Sequence, residues 1–71
     1  MTARFLPLAD VAEMLAISSA QAYALVRSGD LPAIKVGGRG QWRVEESVLE
    51  AFIARMYEQT ARETGHHHTA R

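Results

Sequence analysis

A chain of 71 residues makes at most one small domain, and a chain of this size buries only about 60% of the surface its unfolded form exposes. It has no cysteine, which excludes a disulfide scaffold and thiolate metal sites and fits a reducing compartment. Eight Lys and Arg balance eight Asp and Glu, a neutral sum that by itself argues against a nucleic-acid partner.

The distribution says more than the sum. Residues 1–44 hold five cations (Arg4, Arg27, Lys35, Arg39, Arg43) and three acids (Asp10, Glu13, Asp30), whereas residues 45–71 hold three arginines and five glutamates. From residue 27 to residue 43 four cations face Asp30 alone. The middle of the chain is basic, so an anionic partner stays open.

In chain order, "PLADVAEMLAI" sets Leu8, Val11, Ala12 and Leu15 at the spacing of an amphipathic helix. Pro7 suits its first turn, and Asp10 and Glu13 lie where the helix dipole favours negative charge. Pro7, Asp10 and Glu13 also interrupt the N-terminal stretch, so no signal peptide is expected, and no apolar run approaches membrane-spanning length. A cytoplasmic protein is the expectation.

A second helix follows in "SSAQAYALVRSGD". Ser18 and Gln21 have the spacing of a capping box, Ala22, Leu25 and Val26 form a buried face, and Gly29 with Pro32 ends the helix. Only a few residues around Ala16 and Ile17 join the two helices, which is helix-turn-helix spacing.

Next, "IKVGGRGQWRV" alternates apolar and cationic residues about a glycine cluster and reads as a β-hairpin. Period-two alternation places Ile34 and Val36 on one side with Trp42 and Val44, and Lys35, Gln41 and Arg43 on the other, with Arg39 at the tip. Two strands are marginal alone, so the hairpin must rest on the helices. A third helix opens near "VEESVLEAFIARMYEQ", with Val48, Leu49, Phe52, Ile53 and Met56 as its apolar stripe and Glu45 and Glu46 at its positive end. "TARETGHHHTAR" lacks apolar periodicity. One domain over residues 1–60 and a flexible tail over 61–71 are therefore expected.

Several chemistries find little support. "GGRG" lacks the Lys-Ser/Thr and the strand-to-helix context of a phosphate-binding loop. His66, His67 and His68 are adjacent on a tail and do not converge on one ion, so no metal or other cofactor is expected. With no histidine or cysteine in the folded part, general-base and nucleophilic schemes lack their groups, and the chain is not read as an enzyme or as a binder of a small-molecule substrate. The hairpin cations could meet phosphates, or could form a solvated face that protects an edge strand. On the second helix, Ser18, Ser19, Gln21, Tyr23 and Arg27 point away from the core, where Gln can pair with adenine and Ser or Tyr can reach phosphate. Ser18 and Gln21 can instead be consumed by capping one another, and Tyr23 can be half-buried core. Trp42 reads as the keystone under the hairpin.

"LADVAEMLAISSAQAYALVRSGDLPAIKVGGRGQWRVEESVLEAF" resembles the small MerR-like excisionase family of winged helix-turn-helix DNA-binding proteins, over residues 5 to about 57. The carrying pieces are "VAEMLAIS", "AYALVRSGDLPAIKVG", "QWRV" and "SVLEAFI". The resemblance implies a mainly α fold with a small β-hairpin, a winged helix-turn-helix. Its second helix would enter the major groove, and its wing would lie against the neighbouring minor groove or backbone. The implied DNA-binding residues are Ser19, Gln21, Tyr23 and Arg27 on the helix, and Lys35, Arg39 and Arg43 on the wing; Ser18 and Gln41 join the candidate set from their outward facing. Two positions depart from the family pattern: Ser19 and Ala24 stand where many relatives carry arginine, and the wing tip has extra glycine. Base contacts by arginine are thus largely missing from the helix, and affinity should lean on the wing.

The leading expectation is a sequence-selective binder of double-stranded DNA, acting as a small bacterial or phage transcriptional regulator. An excisionase that works with an integrase is the alternative, and neighbouring copies on DNA are possible partners in either case. A protein-interaction module on the same fold is the alternative of another class.

Overall fold

In the computed structural model, which describes residues 3–38 and 40–64, the chain begins with a strand that periodicity does not reveal. Strand β1 (Phe5–Pro7) is followed by helices α1 (Leu8–Leu15) and α2 (Ser19–Ser28), strands β2 (Ile34–Val36) and β3 (Gln41–Glu45), and helix α3 (Glu46–Thr64). The strands form one antiparallel sheet in the order β1-β3-β2. Three helices and this small sheet make a winged helix-turn-helix, with β2 and β3 as the wing. Arg39 and the run His66–His68 lie outside the described residues.

The expected hairpin thus has a third strand. Pro7, expected in the first turn of α1, is the last residue of β1 and caps α1 in an extended conformation (φ −64°, ψ 152°). A residue without an N–H is tolerated there because β1 is an edge strand. The N–H of Glu46 donates to the Arg4 carbonyl at 2.8 Å, which ties the start of α3 to β1.

Local chemistry sets the turn between α1 and α2. Ala16 is left-handed (φ 57°), its N–H donates to Glu13 O, and the N–H of Ile17 donates to Ala12 O at 2.9 Å. This paired closure is a Schellman turn, with alanine where glycine is usual. Two residues later the capping box of α2 is present: the Ser18 N–H donates to Gln21 Oε1 (3.0 Å) and the Gln21 N–H donates to Ser18 Oγ (3.1 Å). Gly29 ends α2 in the left-handed region (φ 89°), as its position in the sequence implies.

The core is Leu6, Val11, Ala12, Ala22, Val26, Leu31, Val44, Leu49 and Phe52. Leu8, Leu15, Leu25, Trp42, Val48 and Ile53 pack around it. The amphipathic stripes expected for the three helices are the faces that meet, except that Met56, expected at the end of the α3 stripe, is exposed because the packed part of α3 ends before it. Leu31 carries no periodic signal because it lies in the loop before β2, yet it is fully buried, and its N–H donates to Leu25 O at 3.1 Å. Arg55 fixes the same loop from α3, donating to the Asp30 carbonyl at 3.2 Å.

The wing differs from its expected facing. Ile34 pairs with Arg43, Lys35 with Trp42 and Val36 with Gln41, so Lys35 shares the Trp42 and Val44 face while Ile34 and Val36 face outward, 50% and 47% exposed. The expected facing needs a register shifted by one residue, and such a shift inverts every side chain of a strand. The four-residue connection Gly37–Gly40, with Gly37 and Gly40 at positive φ, sets the observed register. Helix α3 continues through Thr64, four residues past the expected domain edge at residue 60. Glu45, expected at the positive end of that helix, is the last residue of β3 instead.

Two outcomes follow for stability. Ala16→Gly relieves a left-handed alanine, whose strain is about 1–2 kcal/mol, against a loss of about 0.5–1 kcal/mol from added unfolded-state freedom. A modest rise in the urea midpoint is expected, and a lower midpoint would contradict this account of the turn. Leu31→Ala leaves a cavity and is expected to cost about 3 kcal/mol, a large share of what so small a domain holds. Equilibrium urea melts followed by circular dichroism measure both.

Candidate nucleic-acid interface

Helix α2 buries Ala22 and Val26, packs Leu25 against the core and turns the rest of its surface outward. Ser19, Ala20, Gln21, Tyr23, Ala24 and Arg27 are all exposed. Their chemistry is less free than their exposure implies. Ser18 Oγ and Gln21 Oε1 are committed to the capping box, which leaves Gln21 its amide NH2 as the unengaged group. Arg27 donates from Nη1 to Tyr23 Oη at 3.3 Å, and its guanidinium carbon lies 5.5 Å from the centre of the Tyr23 ring. Tyr23 is therefore an exposed partner of Arg27 and not core. Ser28 Oγ donates to Leu25 O and accepts from the Asp30 N–H, closing the end of the helix.

On the wing, Lys35 reaches across the sheet to place Nζ 5.1 Å from the centre of the Trp42 ring. A cation over an indole face gains roughly 0.5–1 kcal/mol at an exposed site, enough to favour one direction for a flexible ammonium. Gly40 is part of the same arrangement: a Cβ there would sit 3.3 Å from Lys35 Cδ, and its φ of +64° disfavours any side chain. Arg43 lies on the opposite face, half-buried, donating to its neighbour's carbonyl (Trp42 O, 2.9 Å) and to Gln41 Oε1 (3.2 Å). The two described wing cations thus occupy opposite faces, one held by an aromatic ring and one by its own strand.

Of the residues expected to carry the site, Ser19, Gln21, Tyr23 and Arg27 share the exposed surface of α2, Ser18 caps it, and Lys35, Gln41 and Arg43 lie on the two wing strands. Ala20 and Ala24 are equally exposed on α2 and were not among the candidates. Helical spacing places them one turn apart beside Tyr23, but a methyl group announces no chemistry in a sequence. Among the described residues no buried side chain is polar or charged, no group of His, Cys, Asp or Glu is arranged to hold a metal, and no helix is long and apolar enough to cross a membrane.

This arrangement agrees with comparison to known families. A helix-turn-helix domain model matches residues 5–57, a span that takes in every strand, α1, α2 and the packed half of α3. The chain belongs to this helix-turn-helix domain family, a DNA-binding and typically non-enzymatic class. No curated protein and no solved structure matches the chain.

The capping role separates folding from recognition. Ser18→Ala is expected to lower stability by about 1 kcal/mol, with any change in ligand affinity at low temperature remaining under twofold. A large affinity loss in the folded variant would move Ser18 from the cap to the interface.

Proposed function

We propose that this protein is a sequence-selective binder of double-stranded DNA, placing α2 in the major groove and the β2–β3 wing on the adjacent groove or backbone. The observation that carries the reading is the helix-turn-helix family match over residues that form α1, α2 and the wing, together with a second helix whose outward surface is wholly exposed. Ser19, Gln21, Tyr23 and Arg27 act from the helix, and Lys35, Arg39, Gln41 and Arg43 from the wing. The finer class is the MerR-like excisionase type, in the role of a small bacterial or phage transcriptional regulator. An excisionase would use the same surface, bend its DNA and work beside an integrase or neighbouring copies.

Phosphate contacts release counterions, so the affinity of such an interface falls with salt. Three or four neutralised phosphates give a log–log slope near −3, roughly −0.9 per phosphate. Lys35→Ala and Arg43→Ala are each expected to weaken binding severalfold and to flatten that slope by about one phosphate. Fluorescence anisotropy of labelled duplexes across a salt series measures both quantities. Unchanged binding by the folded double variant would remove the wing from the interface.

A protein partner is the second reading, favoured by the outer sheet face, where Phe5, Ile34 and Val36 are each about half exposed. Binding there would depend weakly and irregularly on salt, and it would perturb Phe5 and Ile34 in NMR spectra rather than α2.

A further inference from the structure

We infer that α2 recognises thymine methyl groups through the side-chain methyls of Ala20 and Ala24, and so selects A·T pairs where an arginine would select guanine. The inference rests on the DNA reading above and names the base that the recognition helix prefers.

The longer polar groups of α2 are already engaged. Ser18 Oγ and Gln21 Oε1 close the cap, Arg27 is turned back onto the ring and hydroxyl of Tyr23, and Ser28 Oγ is bonded at the helix end. An arginine held in this way, in the last turn of the helix, is suited to a phosphate rather than to the bidentate fork that guanine requires. What the exposed surface presents without prior commitment is the Ser19 hydroxyl, the Gln21 NH2 and the methyls of Ala20 and Ala24. These two alanines are one turn apart on the helix, about 6 Å between Cβ atoms, close to the rise of two base steps of about 3.4 Å each.

A methyl pressed against the edge of a G·C pair strips water from donors and acceptors and returns no hydrogen bond. Against thymine the same methyl meets the C5 methyl group in apolar contact. The short side chains also let the helix backbone approach the groove floor closely. Discrimination therefore comes from matching apolar surface, with the Gln21 NH2 able to donate to an acceptor of a neighbouring base. At about 0.8 kcal/mol per buried carbon, each thymine methyl is worth roughly a fourfold change in affinity, and two about fifteenfold.

The preferred duplex is first selected from a randomised library with the unmodified protein, and its affinity is then measured with thymine replaced by deoxyuridine, position by position. Deoxyuridine keeps every hydrogen bond of the pair and lacks only the methyl. Losses of about fourfold at one or two positions, which disappear in Ala20→Gly or Ala24→Gly while the other positions keep theirs, are the expected result. Equal affinity for the thymine and deoxyuridine duplexes overturns the inference and leaves DNA binding intact. A selected site that presents guanine to α2, with affinity lost in Arg27→Ala at that base alone, overturns it in favour of arginine readout. Absence of any salt-dependent duplex binding overturns the DNA reading itself. The deoxyuridine comparison uses the unmodified protein, so it stands even if a glycine variant unfolds.

Discussion

The register of β3 is the constraint on which the rest of the structure depends. As the central strand it pairs with β1 on one side and β2 on the other, and Val44, one residue before its end, is fully buried in the core. Burying Val44 fixes the face of every strand residue through the two-residue period. Leu6, Trp42 and Lys35 fall on the core side, while Phe5, Ile34, Val36, Gln41, Arg43 and Glu45 fall on the outer side. The outcome for the wing is unusual: the apolar residues of β2, Ile34 and Val36, look outward, and a lysine covers Trp42. A hairpin that projects beyond the helices has no core to bury Ile34 and Val36, so the pleat follows the demand of Val44 and Leu6, where the burial is.

The helix pair is fixed by a different kind of interaction, local and polar. A Schellman closure at Ala16 and a capping box that starts at Ser18 lie two residues apart, so the turn between the helices is specified almost wholly by its own local hydrogen bonds. This economy has a consequence for recognition. The groups that hold α2 in place are drawn from the polar residues a recognition helix would otherwise offer to DNA. In this chain the placement of α2 takes Ser18 Oγ and Gln21 Oε1. What α2 leaves uncommitted on its exposed surface is the Ser19 hydroxyl, the Gln21 NH2 and the methyls of Ala20 and Ala24.

A neutral chain can still present a usable electrostatic surface. No charge is buried among the described residues, so all of their charges act from the surface, and the cations of residues 27–43 are concentrated from the end of α2 through the wing. The described cations of this stretch are directed by neighbours: Arg27 by Tyr23, Lys35 by Trp42 and Arg43 by its own strand. Arg55 is directed as well, over the Phe52 ring and to the Asp30 carbonyl, but there it fastens α3 to the loop before β2. Similar side chains thus serve structure at one place and a candidate interface at another, and their surroundings decide which.

Short-range information was written plainly in the sequence. The apolar spacing of Val11 and Ala12, of Ala22 and Val26, and of Leu49 and Phe52 marked the three buried helix faces, because a 3.6-residue period survives in any context. The Ser18–Gln21 cap and the stop at Gly29 were equally readable, since both are satisfied within a few residues of chain. The missed features each needed a partner far along the chain. Strand β1 exists only because β3 has a free edge for Phe5–Pro7, and Leu31 is core only because the packed elements close over its loop. The facing of Ile34, Lys35 and Val36 depends on a register that alternation alone leaves open by one residue, and the commitment of Arg27 to Tyr23 depends on rotamers in the folded helix. The sequence by itself determined which segments are helical, where α2 starts and stops, and that a cationic hairpin follows. Only the tertiary structure decided which face of that hairpin is buried and which polar groups are left over, because burial and register are set by contacts between segments and not by either segment alone.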